Sequence, residues 1–200
     1  MLHTFILVGR SGCGKGTQAA LLRDMMHAAD GKQILYVETG DRFRRFIQAE
    51  GYTSSEAREI NDAGERQPDF LACWMWGNVL VDELHADMHI VFDGAPRAIA
   101  EAHVLTTALT FYKREKPVVI YLNVSKRWSE DRLIERARKD DSSIQKIEKK
   151  LKWFDESVIP ALDYMKEDRH YTFVEVDGER SIEEVHQNIL KELEIREIKI

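Results

Sequence analysis

The segment Gly9-Arg10-Ser11-Gly12-Cys13-Gly14-Lys15-Gly16-Thr17 sets two glycines around four residues and follows the second with a lysine. That spacing is the pattern of a phosphate-binding loop. Its glycines let backbone N–H groups turn inward around phosphate oxygens, and a helix beginning near Lys15 aims the positive end of its dipole at the same anion. The Lys15 ammonium reaches the terminal phosphates, so the implied occupant is a nucleoside triphosphate. At average residue frequencies the pattern occurs by chance in about one chain of this length in five thousand, which disfavours a mere Gly-rich turn. Gly16 stands where a Ser or Thr hydroxyl usually ligates Mg²⁺, so the metal is expected to be held mainly by ATP oxygens and water.

Two later segments carry further cationic groups: Thr39-Gly40-Asp41-Arg42-Phe43-Arg44 and Asp93-Gly94-Ala95-Pro96-Arg97. Together with Lys15-Gly16-Thr17-Gln18 they resemble the adenylate kinase family of nucleoside monophosphate kinases, in its short-lid form. The resemblance covers essentially the whole chain and continues through residues 64–68, through Arg132 to Asp141, and through Val176-Asp177-Gly178. It implies reversible transfer of the γ-phosphoryl group of Mg-ATP to a nucleoside monophosphate. Such a reaction needs many positive side chains, because two highly charged anions are held in line and positioning and charge stabilisation dominate.

The resemblance also implies roles. Lys15, Arg97, Arg136 and Arg138 would be catalytic. Gly12, Cys13, Gly14, Lys15, Gly16, Thr17, Arg132, Arg136 and Gly178 would bind ATP, with Arg132 stacked on its base. Thr39, Gly40, Arg44, Gln67, Gly94, Arg97, Glu101 and Arg138 would bind the monophosphate. Asp140 and Asp141 would orient the lid arginines, and Asp93 would act on Mg²⁺ through water. Arg132 and Arg136 lie four apart and share a helix face. A further lid arginine of the family is taken here by Lys149 or Lys150, which bring charge without the planar bidentate fork.

Glu101 bears on the acceptor base. The family commonly has Gln four residues after the arginine of this motif, and its amide can both donate to and accept from adenine, whereas an ionised Glu only accepts. An ionised Glu101 facing the base would suit the two adjacent N–H donors of guanine; a protonated or averted one would not disturb adenine. Gln67 and Ala95 also depart from the family's usual apolar residue and Phe. AMP is the leading acceptor, with GMP or another monophosphate as the alternative. A non-catalytic nucleotide-binding protein or a hydrolytic P-loop switch are readings of another class; the Asn/Thr-Lys-x-Asp sequence of guanine-specific switches is absent.

The elements that must position these groups follow from periodicity. Apolar runs at Phe5–Val8, Ile34–Val37, His89–Phe92, Val118–Leu122 and Tyr171–Val176 predict five strands. Helical spacing is expected from Lys15 to about Ala29, over Asp41–Glu50, Ser54–Ala63 and Asp69–Leu84, and from Ile144 to Met165 with Pro160 kinking or interrupting it. Ser181 and Glu184 form a capping-box pattern ahead of a last helix. Alternating strands and helices predict an α/β, three-layer P-loop fold with a five-stranded parallel sheet. It would be one domain: core 1–38, 86–135 and 142–200, a helical monophosphate-binding arm at about 39–85, and a very short lid at about 136–141. His85 and His89 bracket Asp87 but straddle a helix end and a strand start, so they are read as surface histidines rather than metal ligands.

Composition sets the outer bounds. The formal net charge of −6 disfavours general binding to nucleic acid or an anionic membrane. Two cysteines are too few for a disulfide framework or a four-thiolate structural zinc. No run approaches the roughly 18 apolar residues of a spanning helix, and the first residues run into an apolar strand rather than a signal peptide. The expectation is a soluble cytoplasmic monomer whose partners are ATP and a monophosphate.

Overall fold

Each short apolar run forms a strand: β1 (Thr4–Gly9), β2 (Ile34–Glu38), β3 (His89–Asp93), β4 (Val118–Asn123) and β5 (Thr172–Asp177). The structure, a computed structural model, describes residues 1–136, 141, 143–198 and 200. All neighbouring strands are parallel, in the order β2-β3-β1-β4-β5. Ile6 of β1 stands opposite Phe92 on one side and Val119 on the other.

Helices cover both faces. They are α1 (Lys15–Asp30), α2 (Thr39–Phe46), α3 (Tyr52–Asp62), α4 (Asp69–Glu83), α5 (Ile99–Phe111), α6 (Lys126–Arg136), α7 (Ile144–Trp153), α8 (Ile159–Glu167) and α9 (Ile182–Ile195). Because strand side chains alternate, Ile6, Val8, Ile90 and Phe92 pack with Trp76, Leu80, Leu105 and Leu162 of α4, α5 and α8. Phe5, Leu7 and Val91 pack on the opposite face with Leu22 and Met26 of α1 and Val185 and Ile189 of α9. Burial on both faces explains why the central strands β1, β3 and β4 read as apolar runs, whereas the edge strands β2 and β5 are buried only at alternate residues.

The α2–α4 excursion has a small core of its own, built from Phe43, Ile47, Ala57, Leu71, Ala72 and Met75. Helix α4 serves both cores, since its Trp76, Val79 and Leu80 pack beneath the sheet. Helix α2 begins two residues earlier than its periodicity suggests and ends at Phe46, after which turn hydrogen bonds from Gln48 and Ala49 lead to Gly51. Pro160 does not break the long helical run. A π-turn (Phe154–Val158) widens it instead: the Ile159 N–H reaches back five residues to the Phe154 carbonyl, and Pro160 falls in the first turn of α8, where no N–H is required.

His89 corrects its surface reading. It is 1% exposed; its Nδ1 accepts the His3 backbone N–H at 2.9 Å and its Nε2 faces Asp30 at 3.2 Å. These partners, distant in the chain, satisfy the buried ring. Among the described residues no helix is long and apolar enough to cross a membrane.

The capping box forms as its sequence requires: the Ser181 hydroxyl accepts from Glu184 N, and the Glu184 carboxylate accepts from Ser181 N. Ser181→Ala is expected to lower unfolding free energy by about 1 kcal/mol, read as a shifted urea midpoint; an unchanged midpoint would show that the box contributes nothing.

Candidate active site

Ligands of open parallel sheets collect at the carboxyl ends of the strands. There β1 ends at Gly9 and the loop to α1 begins. Gly12 (φ +87°) and Gly14 (φ +92°) adopt left-handed conformations that side chains disfavour. A Cβ on Gly12 would also stand 3.2 Å from both the Arg132 Cβ and the Ser129 carbonyl, so the loop is seated against α6. The Lys15 ammonium curls over this loop, donating to the Gly9 carbonyl at 2.7 Å and the Arg10 carbonyl at 3.0 Å. Arg10 anchors the loop from outside: Nη1 donates to the Val124 carbonyl at 3.1 Å, the guanidinium lies 4.7 Å from the Phe154 ring centroid, and Nη2 pairs with Asp155.

Above this edge opens a cleft of about 910 Å³. It is lined by Gly12, Cys13, Gly14, Lys15, Gly16 and Thr17 from the loop and the start of α1, and by Arg132, Arg136 and Gly178 from α6 and the turn after β5. The same cleft is lined by Gly40, Arg44, Gln67, Asp93, Gly94 and Arg97. A Cβ on Gly178 would come within 2.7 Å of a Val124 methyl, so a side chain there would displace the β4–α6 connection. Thr39 is fully buried, its hydroxyl donating to the Asp93 carbonyl at 3.3 Å. Arg138 and Asp140 lie outside the described residues.

The guanidinium groups converge at Gly40. A Cβ built there would meet Arg44 Nη1 at 3.2 Å and Arg97 Nη2 at 3.6 Å, so glycine keeps clear a spot bordered by both cations. Arg97 Nε is fixed by the Gly94 carbonyl at 2.7 Å. Burial above all lowers the Arg97 pKa, with the like charges of Arg44 and Arg66 acting in the same sense and Glu101 and Asp93 opposing them. Guanidinium groups grouped in this way can attract an anion. Arg66, which lines the cleft and pairs with Asp69 at 2.5 Å, was not singled out from sequence beyond its place in the 64–68 segment.

Glu101 sits behind the wall of the cleft at 0% exposure. Its Oε1 accepts from the Trp76 indole at 3.0 Å and its Oε2 from the Arg97 backbone N–H at 2.6 Å. Burial pushes its pKa up, while the Arg97 N–H and charge, the Trp76 hydrogen bond and the Arg66 charge pull it down, leaving a net rise. Gln67 is likewise turned inward, its amide donating to the Ala57 carbonyl at 2.8 Å.

Beyond the end of α6, the Asp141 carboxylate, its side chain 0% exposed, bridges Arg136 at 2.5 Å and Lys150 at 2.7 Å. Lys150 also lines the cleft, whereas Lys149 reaches the Ala63 carbonyl at 2.8 Å and Glu65 at 2.7 Å. Arg132 lies over the Trp128 ring at 5.0 Å.

Among the described residues no three His, Cys, Asp or Glu cluster as a metal cage. The donor set suits Mg²⁺ nonetheless, because that ion keeps several waters and takes one or two carboxylates plus phosphate oxygens. Asp93 is such a carboxylate; its Oδ2 accepts from Tyr36 OH at 2.9 Å and would lie 3.4 Å from a Cβ on Gly16. Tyr36 in turn lies beneath the Arg23 guanidinium, 4.4 Å from Cζ to ring centroid. No spacing rule could have joined Arg23, Tyr36 and Asp93: β2–β3 pairing brings Tyr36 to Asp93, and the packing of α1 on the sheet brings Arg23 over the Tyr36 ring.

A family model described as adenylate kinase matches residues 7–170. The adenylate kinase of Flavobacterium psychrophilum is 30% identical over 191 residues, spanning 92% of this chain and 94% of that protein. That of Corynebacterium urealyticum is 30% identical over 185 residues, spanning 92% and 96%, and that of Mycoplasma capricolum is 25% identical over 222 residues, spanning 95% and 99%.

The raised Glu101 pKa has a definite pH signature. The folded state holds that proton more tightly than the unfolded chain, so its contribution to stability is present below the unfolded pKa of about 4.3 and is lost as pH rises through the folded value. Urea denaturation across this window should show the stability of wild type relative to Glu101→Gln falling with pH; a rising difference would contradict the assignment.

Proposed function

Because the chain belongs to the adenylate kinase family and is an ATP-dependent nucleoside monophosphate kinase, we propose that it transfers the γ-phosphoryl group of Mg-ATP to AMP, reversibly, giving two ADP. One observation carries this reading: Arg44 and Arg97 border one spot at Gly40 within the cleft that Lys15 also lines. A donor polyphosphate wrapped by the loop and an acceptor phosphate at Gly40 would share that cleft, as in-line transfer requires.

In this reading an acceptor phosphate oxygen attacks the γ-phosphorus as the bond from that phosphorus to the β–γ bridging oxygen breaks. The transition state is loose, so the residues stabilise charge rather than react covalently. Lys15 holds the β- and γ-phosphates, and backbone N–H groups from Gly12 to Thr17 wrap them. Arg97 and Arg44 fix the acceptor, with Arg66 added to them. Arg136, paired with Asp141, and Arg138 are assigned to the transferring phosphates, and Asp140 is assigned with Asp141 to orient them. Arg132 is assigned to stack on the ATP base, and Gly178 to the same ATP side of the cleft. Asp93 would hold Mg²⁺ through water, and the ion would supply charge neutralisation.

AMP is favoured over GMP because both Glu101 oxygens are engaged by Trp76 and Arg97, so the carboxylate need not face the base. Thr39, Gly40, Gln67 and Gly94 complete the monophosphate side. Family membership favours this kinase over a hydrolytic switch or a non-catalytic binder. We further assign residues 39–85 to a monophosphate arm, 136–141 to a short lid and the rest to the core. A monomeric cytoplasmic enzyme is part of the proposal, its two free cysteines agreeing with a reducing compartment.

Steady-state turnover of purified protein with ATP and each monophosphate should be strongest for AMP; dominant GMP turnover would transfer the acceptor role to guanine. Arg97→Ala and Arg138→Ala are each expected to lower kcat at least about 10²-fold, since a transition-state arginine can contribute more than that. Near-normal turnover in both variants would overturn these roles.

A further inference from the structure

Arg44 is embraced by two carboxylates. Its Nη2 donates to Glu38 at 3.0 Å and to Asp41 at 3.3 Å, while Nη1 is the atom nearest the spot above Gly40. The two acids are not equivalent. Asp41 also pairs with Arg45, so it keeps a cationic partner if Arg44 turns away. Among the described residues the ion pair of Glu38 is with Arg44. Glu38 ends β2, in register with Asp93 at the end of β3, and it lines the cleft. Its carboxylate therefore stands at the carboxyl edge among the cations assigned to the acceptor phosphate.

We infer that Glu38 is a positioning residue that competes with the acceptor phosphate for Arg44 and thereby weakens acceptor binding; this rests on the proposed monophosphate role of Arg44 and Arg97. The side chains of Arg44 and Glu38 are 34% and 35% exposed. An ion pair so hydrated is weak enough for a phosphate dianion to displace. When the dianion takes Arg44, Glu38 loses its partner and faces a like charge. It thus resists occupancy twice, by holding the cation beforehand and by repelling the anion afterwards. Its removal as a charge should tighten the monophosphate without altering the triphosphate side, which is built on the Gly9–Lys15 loop and α6.

The test compares wild type, Glu38→Gln and Glu38→Asp. Calorimetric titration with AMP, without ATP, should give Glu38→Gln a Kd about three- to tenfold lower than wild type, the range expected for one partly screened charge. The KM for AMP should fall in parallel while the KM for ATP stays within about twofold of wild type. Glu38→Asp keeps the charge and should lie closer to wild type than to Glu38→Gln in both measurements. An unchanged or raised Kd in Glu38→Gln overturns the role of Glu38, as does an equal fall in the KM for ATP. If wild type phosphorylates AMP normally, that failure belongs to Glu38 alone; if wild type phosphorylates no monophosphate, the proposed function and this inference fall together.

Discussion

Two phosphate groups brought within bonding distance repel one another, and that repulsion is what the surrounding protein must overcome. A pair of unit charges 4 Å apart costs about 1 kcal/mol in water and about 4 kcal/mol at the effective dielectric near a protein surface. Several such pairs arise between a triphosphate and a monophosphate, so excluding water without adding cations would make transfer harder. The chain concentrates its compensation at one edge. Lys15, Arg44, Arg66, Arg97, Arg132 and Arg136 all line one cleft in a protein whose net charge is −6.

That concentration depends on the sheet. β1 lies between β3 and β4, so the loop after Gly9 and the turn after Asp93 emerge side by side. The parallel register places Glu38 opposite Asp93 and carries Gly40 and Arg44 to the same edge. Buried on both faces, the strands cannot slip without driving Phe5, Leu7 and Val91 to the wrong side. Small residues then set the approach distances. Gly12 lets the loop meet α6, Gly40 lets two guanidinium groups share a border, and Gly178 lets the chain pass Val124. Counter-charges keep the cations placed: Asp141 between Arg136 and Lys150, Asp41 on Arg44, Asp69 on Arg66.

What was legible in the sequence was local. The loop and the Ser181–Glu184 box depend on contacts between residues near in the chain, and the strands, although they pair with distant segments, show as short apolar runs, so spacing reveals all of them. The resemblance added the distant arginines by their motifs. The Tyr36–Asp93 and Trp76–Glu101 hydrogen bonds span 57 and 25 residues and exist because the sheet and α4–α5 packing bring them together. Nothing in the run Ile34–Val37 distinguishes Tyr36 from an ordinary strand residue, and nothing near His89 foretells His3 and Asp30 as partners. Pro160 signalled an irregularity correctly in place but not in kind, since a wider turn accommodates it as well as a kink.

A crystal structure with a non-hydrolysable ATP analogue and AMP together measures the central geometry directly. The expected density shows a triphosphate wrapped by Gly12 to Thr17, an AMP phosphate touching Arg44 and Arg97 at Gly40, and an acceptor oxygen about 3–3.5 Å from the γ-phosphorus, in line for attack. An AMP phosphate bound away from Arg44 and Arg97, or one held there but out of reach of the γ-phosphorus, would contradict it.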